Sequence, residues 1–311
     1  MILVDLSHAL HRVLWSNKTQ IQDTPEFLSH VLLTQIVSIS NKLGGSKKNP
    51  VVLCMDNKSW RKDYYEQNKT KFDDLTTQSY KGQRIKSDEV DWKTVYGIFE
   101  DTVESLKYHS DFFVVKAEKA EADDVIAVLT KKFKHTETVW IVSSDKDFNQ
   151  LQDTNVHIYD PLKQQFRPKV DVETFKKIHI MIGDSSDNIK PIKSRLGEKT
   201  ALKMLKDLNT YLQTNFDMKE RYEFNKILID FDCIPEDIEK SILEVYNEQT
   251  YSFNGMKLMT MLMKYKLAKH AEDINKFQIP VGEVKTKLNQ QFKEQERILE
   301  ISKSSLDEFF S

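Results

Sequence analysis

The sequence predicts an α/β fold: a central, mostly parallel sheet with flanking helices, followed by a helical C-terminal region. Three observations predict it. From residue 1 to about residue 160, short apolar runs alternate with segments of helical periodicity, the pattern of parallel strands joined by crossover helices. Two of those runs, Ile2-Leu3-Val4-Asp5-Leu6 and Val51-Val52-Leu53-Cys54-Met55-Asp56, carry an aspartate at or near their end. Parallel strands bring such ends to one edge, where open sheets bind ligands. Beyond Tyr159 only helical segments are predicted.

In chain order, the first strand is followed by a helix from about Pro25 to Leu43, with Phe27, Val31, Ile36 and Ile39 at helical spacing. Gly44-Gly45-Ser46 stops it, and Pro50 introduces the second strand. Residues 57–86 are too long and too charged for a simple connection. They hold Trp60, Arg61, Lys62, Tyr64, Tyr65 and Tyr80-Lys81-Gly82-Gln83-Arg84. The stretch reads as an arm over the site, in which Lys and Arg grip phosphates and tyrosines stack on unpaired bases; the plainer reading is a solvated insertion. A helix from Ser87 to Tyr108, a strand from Asp111 to Val115, a helix opened by Glu121-Ala122-Asp123-Asp124 and a strand from Thr138 to Ser143 follow. Val156 to Tyr159 is the last predicted strand. Further helices cover Tyr222 to Ile229, Pro235 to Tyr246 and Met256 to Lys269. In the last, Met256, Met259, Met261 and Met263 read as ordinary core with the lysines turned outward. After His270 the composition becomes polar, as in a linker or a marginal helix.

Charged residues make up 30% of the 311-residue chain against 39% hydrophobic, which suits a water-soluble protein. No apolar run is long enough for a membrane span, and no signal pattern follows Met1, so a cytoplasmic location is expected. The two cysteines, Cys54 and Cys233, have no His or Cys partners at zinc spacing. The net charge of −2 hides a segregation: residues 57–86 hold eight Lys or Arg against four acids, and residues 190–206 hold six against one. An acidic pocket flanked by basic surface suits a phosphodiester held through metal ions.

The acids carry the chemistry. Glu121, Asp123, Asp124, Asp145 and Asp147 place five carboxylates in one helix–strand unit. Taken singly, such acids are helix caps and turn residues. Brought together, they repel one another and hold protons unless a cation screens them, and hard divalent ions, above all Mg²⁺, take such oxygen ligands. Farther on, Ile182-Gly183-Asp184-Ser185-Ser186-Asp187-Asn188-Ile189 leads into a turn-rich stretch and a second helix. There Gly197 and the amides after it, with Lys199 and Thr200 beside them, suit a clamp on the backbone of duplex DNA.

Asp5, Asp56, Glu121-Ala122-Asp123-Asp124, Ser144-Asp145-Lys146-Asp147 and Gly183-Asp184-Ser185-Ser186-Asp187-Asn188 resemble, in order, the acidic motifs of the flap endonuclease and 5′ nuclease family. Tyr80 to Arg84 resembles its arch motif and Ile192 to Ala201 its helix-hairpin-helix. Leu53-Cys54-Met55-Asp56-Asn57, Trp60-Arg61-Lys62-Asp63 and Leu228-Ile229-Asp230-Phe231-Asp232 are most similar to the bacteriophage primer-removing branch. One departure is that Ser194-Arg195 stands where the family hairpin has its first glycine.

The resemblance implies a PIN-like nuclease domain at residues 1–180 including the arch at 57–86, a helical DNA-binding region at 181–270, and a linker and tail at 271–311. It implies two Mg²⁺ ions, replaceable by Mn²⁺, about 4 Å apart. Asp5, Asp56, Glu121 and Asp123 would hold one, and Asp145, Asp147 and Asp187 the other, with Asp124 and Asp184 acting from behind. Lys81 and Arg84 would polarise the scissile phosphate and Tyr80 would stack on a base. Arg61 and Lys62 would contact the strand, and Lys193, Arg195, Gly197, Lys199 and Thr200 the duplex. The implied activity is 5′ to 3′ hydrolysis of RNA or DNA annealed to DNA, and of flaps, in lagging-strand primer removal. Repair or recombination nuclease and non-catalytic binder are the alternatives; the full set of nine acids favours the enzyme. The implied protein is a monomer that meets a single-stranded-DNA-binding protein. Leu306, Phe309 and Phe310 of the tail have no evident core to join, and their spacing resembles sliding-clamp-binding peptides.

Overall fold

The structure, a computed structural model, describes residues 1–72, 79–81, 91–288, 290 and 292, and for 70–72 the backbone alone. The first strand, β1 (Ile2–Asp5), ends on the predicted acid, and Asp5 at once caps α1 (Leu6–Ser16) by accepting the His8 amide hydrogen bond at 2.8 Å. Sequence reading left that helix and the short α2 (Lys18–Asp23) unassigned. Next come α3 (Phe27–Leu43), β2 (Val51–Cys54) and α4 (Trp60–Phe72), which occupies the start of the predicted arm. After these follow α5 (Trp92–His109), β3 (Phe113–Val115), α6 (Ala122–Phe133), β4 (Val139–Val142) and β5 (Val156–Asp160). A further strand, β6 (Gln165–Phe166), was not foreseen; it is two residues long, too short for any alternation to register.

The sheet order is β3-β2-β1-β4-β5-β6, parallel except for β6. Side-chain alternation divides the core. Ile2, Val4, Val51, Leu53 and Val142 face α1, α3 and α5, whereas Leu3, Val52, Cys54 and Ile141 face α6. Because β1, β2 and β4 run the same way, their carboxyl ends, and the acids on or just after them, open on one edge.

The C-terminal half contains α7 (Val172–Ile182), α8 (Glu198–Met204), α9 (Leu208–Thr214), α10 (Phe216–Ile229), α11 (Glu236–Asn247), α12 (Gly255–Lys264) and α13 (Ala268–Ala271). Residues of α7, α8 and α10 share a separate core with Tyr65 and Tyr80. By contrast α11 contributes Ile238 and Ile242 to the α6 side of the sheet, and α12 contributes Leu258 and Leu262 to the α5 side. So residues 236–264 complete the two cores that flank the sheet, apart from the separate core of α7, α8 and α10.

Two readings are corrected here. Met256, Met259 and Met263 are 82%, 41% and 56% exposed, so the core stripe of α12 is Leu258 and Leu262 and the methionines lie largely outside it. Leucine at four-residue spacing took the face that the more numerous methionines were assigned. Residues 271–279 are not the start of a linker either. Phe277 and Ile279 are buried, Phe277 lies edge-on to Phe112, and the Phe277 carbonyl accepts from the Asp111 amide. No helix among the described residues is long and apolar enough to cross a membrane.

Candidate metal centre

Asp5, Asp56, Asp123 and Asp145 meet at the carboxyl edge of β1, β2 and β4. Asp5 accepts from the Ser143 hydroxyl at 2.9 Å, which ties the end of β1 to the residue after β4. Asp56 accepts from the Ala122 amide at 2.8 Å, and its own amide donates to the Ser7 hydroxyl, so β2 is tied to the starts of both α6 and α1. Asp145 accepts from the Asp147 amide at 2.9 Å and so caps the 3-10 turn that presents the second acid. Asp5, Asp56, Asp123 and Asp145 line a common cleft of about 250 Å³ with Lys81.

Glu121 and Asp124 form the N-terminal cap of α6, with the Glu121 amide donating to Asp124 at 2.9 Å. Asp124 is fully buried; its oxygens also accept from Trp60 Nε1 at 3.2 Å and Arg61 Nη1 at 2.5 Å. It therefore holds the helix start rather than facing the cleft. Arg61, 2% exposed, donates from Nε to the Leu228 carbonyl and lies 3.5 Å from Glu121. This corrects the expectation that Arg61 contacts the strand: it is an internal cation with no path to a ligand, whereas its neighbour Lys62 is exposed. Tyr80 is corrected in the same sense. Its ring is buried beside Tyr65, and its hydroxyl donates to Glu121 at 3.3 Å, so it has no face open for a base. Lys81 projects among the acids, 2.6 Å from Glu121 and 3.7 Å from Asp187, on a left-handed backbone with φ of 55°. Arg84, Leu306, Phe309 and Phe310 lie outside the described residues.

The loop after α7 depends on Gly183, with φ of +69°; a Cβ there would lie 2.3 Å from the Ile189 carbonyl oxygen, so no other residue fits without moving that backbone. Buried Asn225 of α10 fixes the loop by donating to the carbonyls of Ile180 and Lys190. The loop distributes its acids differently from expectation. Asp187 turns toward Lys81 and Tyr80, while Asp184 comes to the Asp147 side, with Lys146 at 3.0 Å. Asp147, His179 and Asp184 each offer one ligand atom within 4.8 Å of the others. Among the described residues they are the group of three that meets this spacing.

Electrostatics reflect the crowding. Burial first, then the charges of Asp56 and Asp145, push the Asp5 carboxyl up to about 7. Burial and Asp145 likewise push Asp147 up to about 7. Asp123, though partly open to the cleft, is held well above its ordinary range by burial and by Asp5 and Asp145. Burial would also raise Glu121, but Lys81 and Arg61 outweigh it and carry the group below its usual range. The same acts on Asp184: burial opposes the charge, and His179, Ser186 and Lys146 more than offset it.

Several cleft residues escaped the sequence reading. His8, His11, Trp15 and Lys18 line the acidic cleft from α1 and α2. Leu6, Leu10, Val13 and Leu14 at helical spacing would have revealed the helix and so the opposite face. His179 carries no such signal; nothing local marks a histidine near the end of an amphipathic helix as a partner of acids before and after it. The hairpin residues Lys193, Arg195, Gly197, Lys199 and Thr200 are all exposed on one short stretch. Arg195 takes the left-handed conformation, φ 59°, that the expected glycine would have supplied, whereas Gly197 has ordinary extended φ.

The chain matches the family described as 5′-3′ exonuclease, N-terminal resolvase-like domain, over residues 1–179, and that described as T4 RNase H, C terminal, over residues 199–277. It is 30% identical to the ribonuclease H of Enterobacteria phage T4 over 280 residues, covering 80% of this chain and 86% of that protein. It is 35% identical to a 5′-3′ exonuclease of Mycoplasmopsis pulmonis over 153 residues, 45% of this chain and 48% of that one. Among solved structures, the T5 D15 protein co-crystallised with metal ions shares the fold at a TM-score of 0.59 and 20% identity, covering 79% of this chain and 98% of that one.

The internal role of Arg61 leads to a test. Arg61→Ala leaves Asp124 buried without its cation and is expected to cost about 3–5 kcal/mol of stability in urea unfolding. Unchanged stability with weakened DNA binding would return Arg61 to the surface.

Proposed function

The chain belongs to the 5′-3′ exonuclease family, and from that premise we propose that it is a divalent-metal-dependent 5′ to 3′ exonuclease and flap endonuclease. Its substrates are RNA or DNA annealed to DNA, and its task is the removal of RNA primers during replication. The observation that carries the proposal is the convergence of acids from the ends of three parallel strands and the Asp184 loop on one edge, where burial and mutual repulsion leave Asp5, Asp123 and Asp147 in want of a cation.

The residues fit such ions. Oxygen donors predominate, and the cleft of about 250 Å³ that Asp5, Asp56 and Asp123 line has room for the waters that Mg²⁺ keeps. Asp5, Asp56, Glu121 and Asp123 would hold one ion, and Asp145, Asp147 and an acid of the 184–187 loop the other. When bound, such ions activate a water and neutralise charge developing on phosphorus and the leaving oxygen. The chain's own groups do the rest. Lys81, paired with Glu121, is placed to exchange that carboxylate for a phosphate oxygen, and Arg84 serves the same phosphate. Trp15, 65% exposed at the mouth of the cleft, offers a face to a base, the part that buried Tyr80 cannot take here. Lys62, Lys193, Arg195, Lys199, Thr200 and the Gly197 amides grip the backbone away from the reacting bond. Leu306, Phe309 and Phe310 dock the tail on a sliding clamp, a proposal that their spacing in sequence supports.

Two outcomes test this reading. Asp145→Asn and Asp147→Asn keep the turn but remove ligand charge. Each is expected to retain duplex binding in a gel-shift titration and to lose cleavage of end-labelled flap and RNA–DNA substrates by about 10–100-fold or more. Full Mg²⁺-dependent cleavage by both variants contradicts the assignment. Deleting residues 304–311 should leave cleavage of short oligonucleotides intact and abolish binding to the cognate clamp. Unchanged clamp affinity refutes the tail's role.

A further inference from the structure

His179 sits in the last turn of α7, 3% exposed, between two acids of the metal centre. Its Nε2 lies 3.3 Å from Asp184 Oδ2. That carboxylate is an acceptor on every side: Oδ2 also faces Lys146 at 3.0 Å, and Oδ1 takes the amide and hydroxyl of Ser186 at 2.8 and 2.5 Å. The proton between His179 and Asp184 therefore belongs to Nε2. In the neutral imidazole this leaves a lone pair on Nδ1, which points toward Asp147 Oδ1 at 3.7 Å. That gap is too long for a hydrogen bond. Nδ1 and Asp147 Oδ1 are both buried, and neither has a hydrogen-bond partner.

Two buried atoms, each with an unused lone pair and facing one another, are costly unless something lies between them. Ligands about 2.1 Å from a common ion stand roughly 3–4 Å apart, which is the separation found. A carboxylate behind the histidine, holding its second ring N–H, is the arrangement that fixes tautomer and orientation in metal-ligating histidines. We propose that His179 Nδ1 is a direct ligand, with Asp147, of the second metal position, and that Asp184 is the carboxylate that orients it. The position is then a mixed nitrogen and oxygen site. It favours borderline divalent ions such as Mn²⁺ or Co²⁺ over Mg²⁺, which takes oxygen ligands. This rests on the metal-dependent reading above and adds a ligand that reading did not contain.

The test uses the full chain loaded with Mn²⁺ and pulsed electron paramagnetic resonance, which detects nitrogen coupled to the ion without any turnover. The wild-type protein is expected to show histidine nitrogen modulation, confirmed by its change on ¹⁵N-histidine labelling. The signal should persist in a His8→Gln, His11→Gln double variant, which removes the two histidines of the neighbouring cleft, and vanish in His179→Gln. In His179→Gln, Mn²⁺ affinity should fall by about 10-fold or more, and Mg²⁺ affinity by less than about twofold. Bound Mn²⁺ without histidine nitrogen coupling overturns the inference while leaving metal dependence standing, as does loss of the signal in the double variant. Failure of Mn²⁺ to bind at all overturns both. The wild-type and double-variant spectra decide the matter even if His179→Gln does not fold.

Discussion

Carboxylates forced together by burial at one edge of the sheet set the terms for this structure. Each one near the end of a parallel strand is unremarkable, but the parallel order brings Asp5, Asp56 and Asp145 to one edge, and α6 adds Glu121 and Asp123. Like charges at that separation cannot all be ionised at low cost. Protons, internal cations or divalent ions must share the site, and the fold provides for each differently. Asp5 and Asp147 keep protons toward neutrality, Glu121 is balanced by Lys81 and Arg61, and Asp184 by Lys146.

The internal cations show how the cleft is built from behind. Arg61 joins α4 to the cap of α6 and to the end of α10, so the start of the arm, the acid-bearing helix and the C-terminal helical layer are set by one guanidinium. Burial alone would lower the Arg61 charge's stability, and Asp124 first among its neighbours more than reverses that. Lys81 differs in being at the cleft itself, where it pairs with Glu121. The two basic residues read alike in a charged run, yet one is enclosed against Asp124 and the other lines the cleft.

What was legible followed from period and punctuation. The five parallel strands, α3, α5, α6 and the acids that follow β1, β2 and β4 were readable because apolar runs, glycine or proline stops and acids coincide at strand ends. Reading α1 failed because Asp5 closes a strand and caps a helix without an intervening turn residue. The assignments of Arg61 and Tyr80 failed because charge and aromaticity in sequence do not reveal which side chains turn inward; only the pairing with Asp124 and Glu121 does. Phe277 was hidden in a polar context, and its burial depends on contact with Phe112, far away in sequence. The placement of Asp187 beside Lys81 and of Asp184 beside His179 is a three-residue matter, decided by the turn that Gly183 allows.

The central claim is that the acid cluster is strained when fully charged and relieved by a divalent ion. Asp5 and Asp147 have folded values of about 7 against an ordinary 3.8, so the folded state binds protons that the unfolded chain has already released. Their contribution is fully present below about pH 4 and is lost as pH rises through about 7. The direct measurement is the urea midpoint of the metal-free protein between pH 5 and pH 8, with and without Mg²⁺. Without the ion the midpoint is expected to fall across this range, and the Mg²⁺ stabilisation to grow with pH as protons cease to compete. A metal-free midpoint that is flat or rises over the same range, with a Mg²⁺ effect independent of pH, would contradict it.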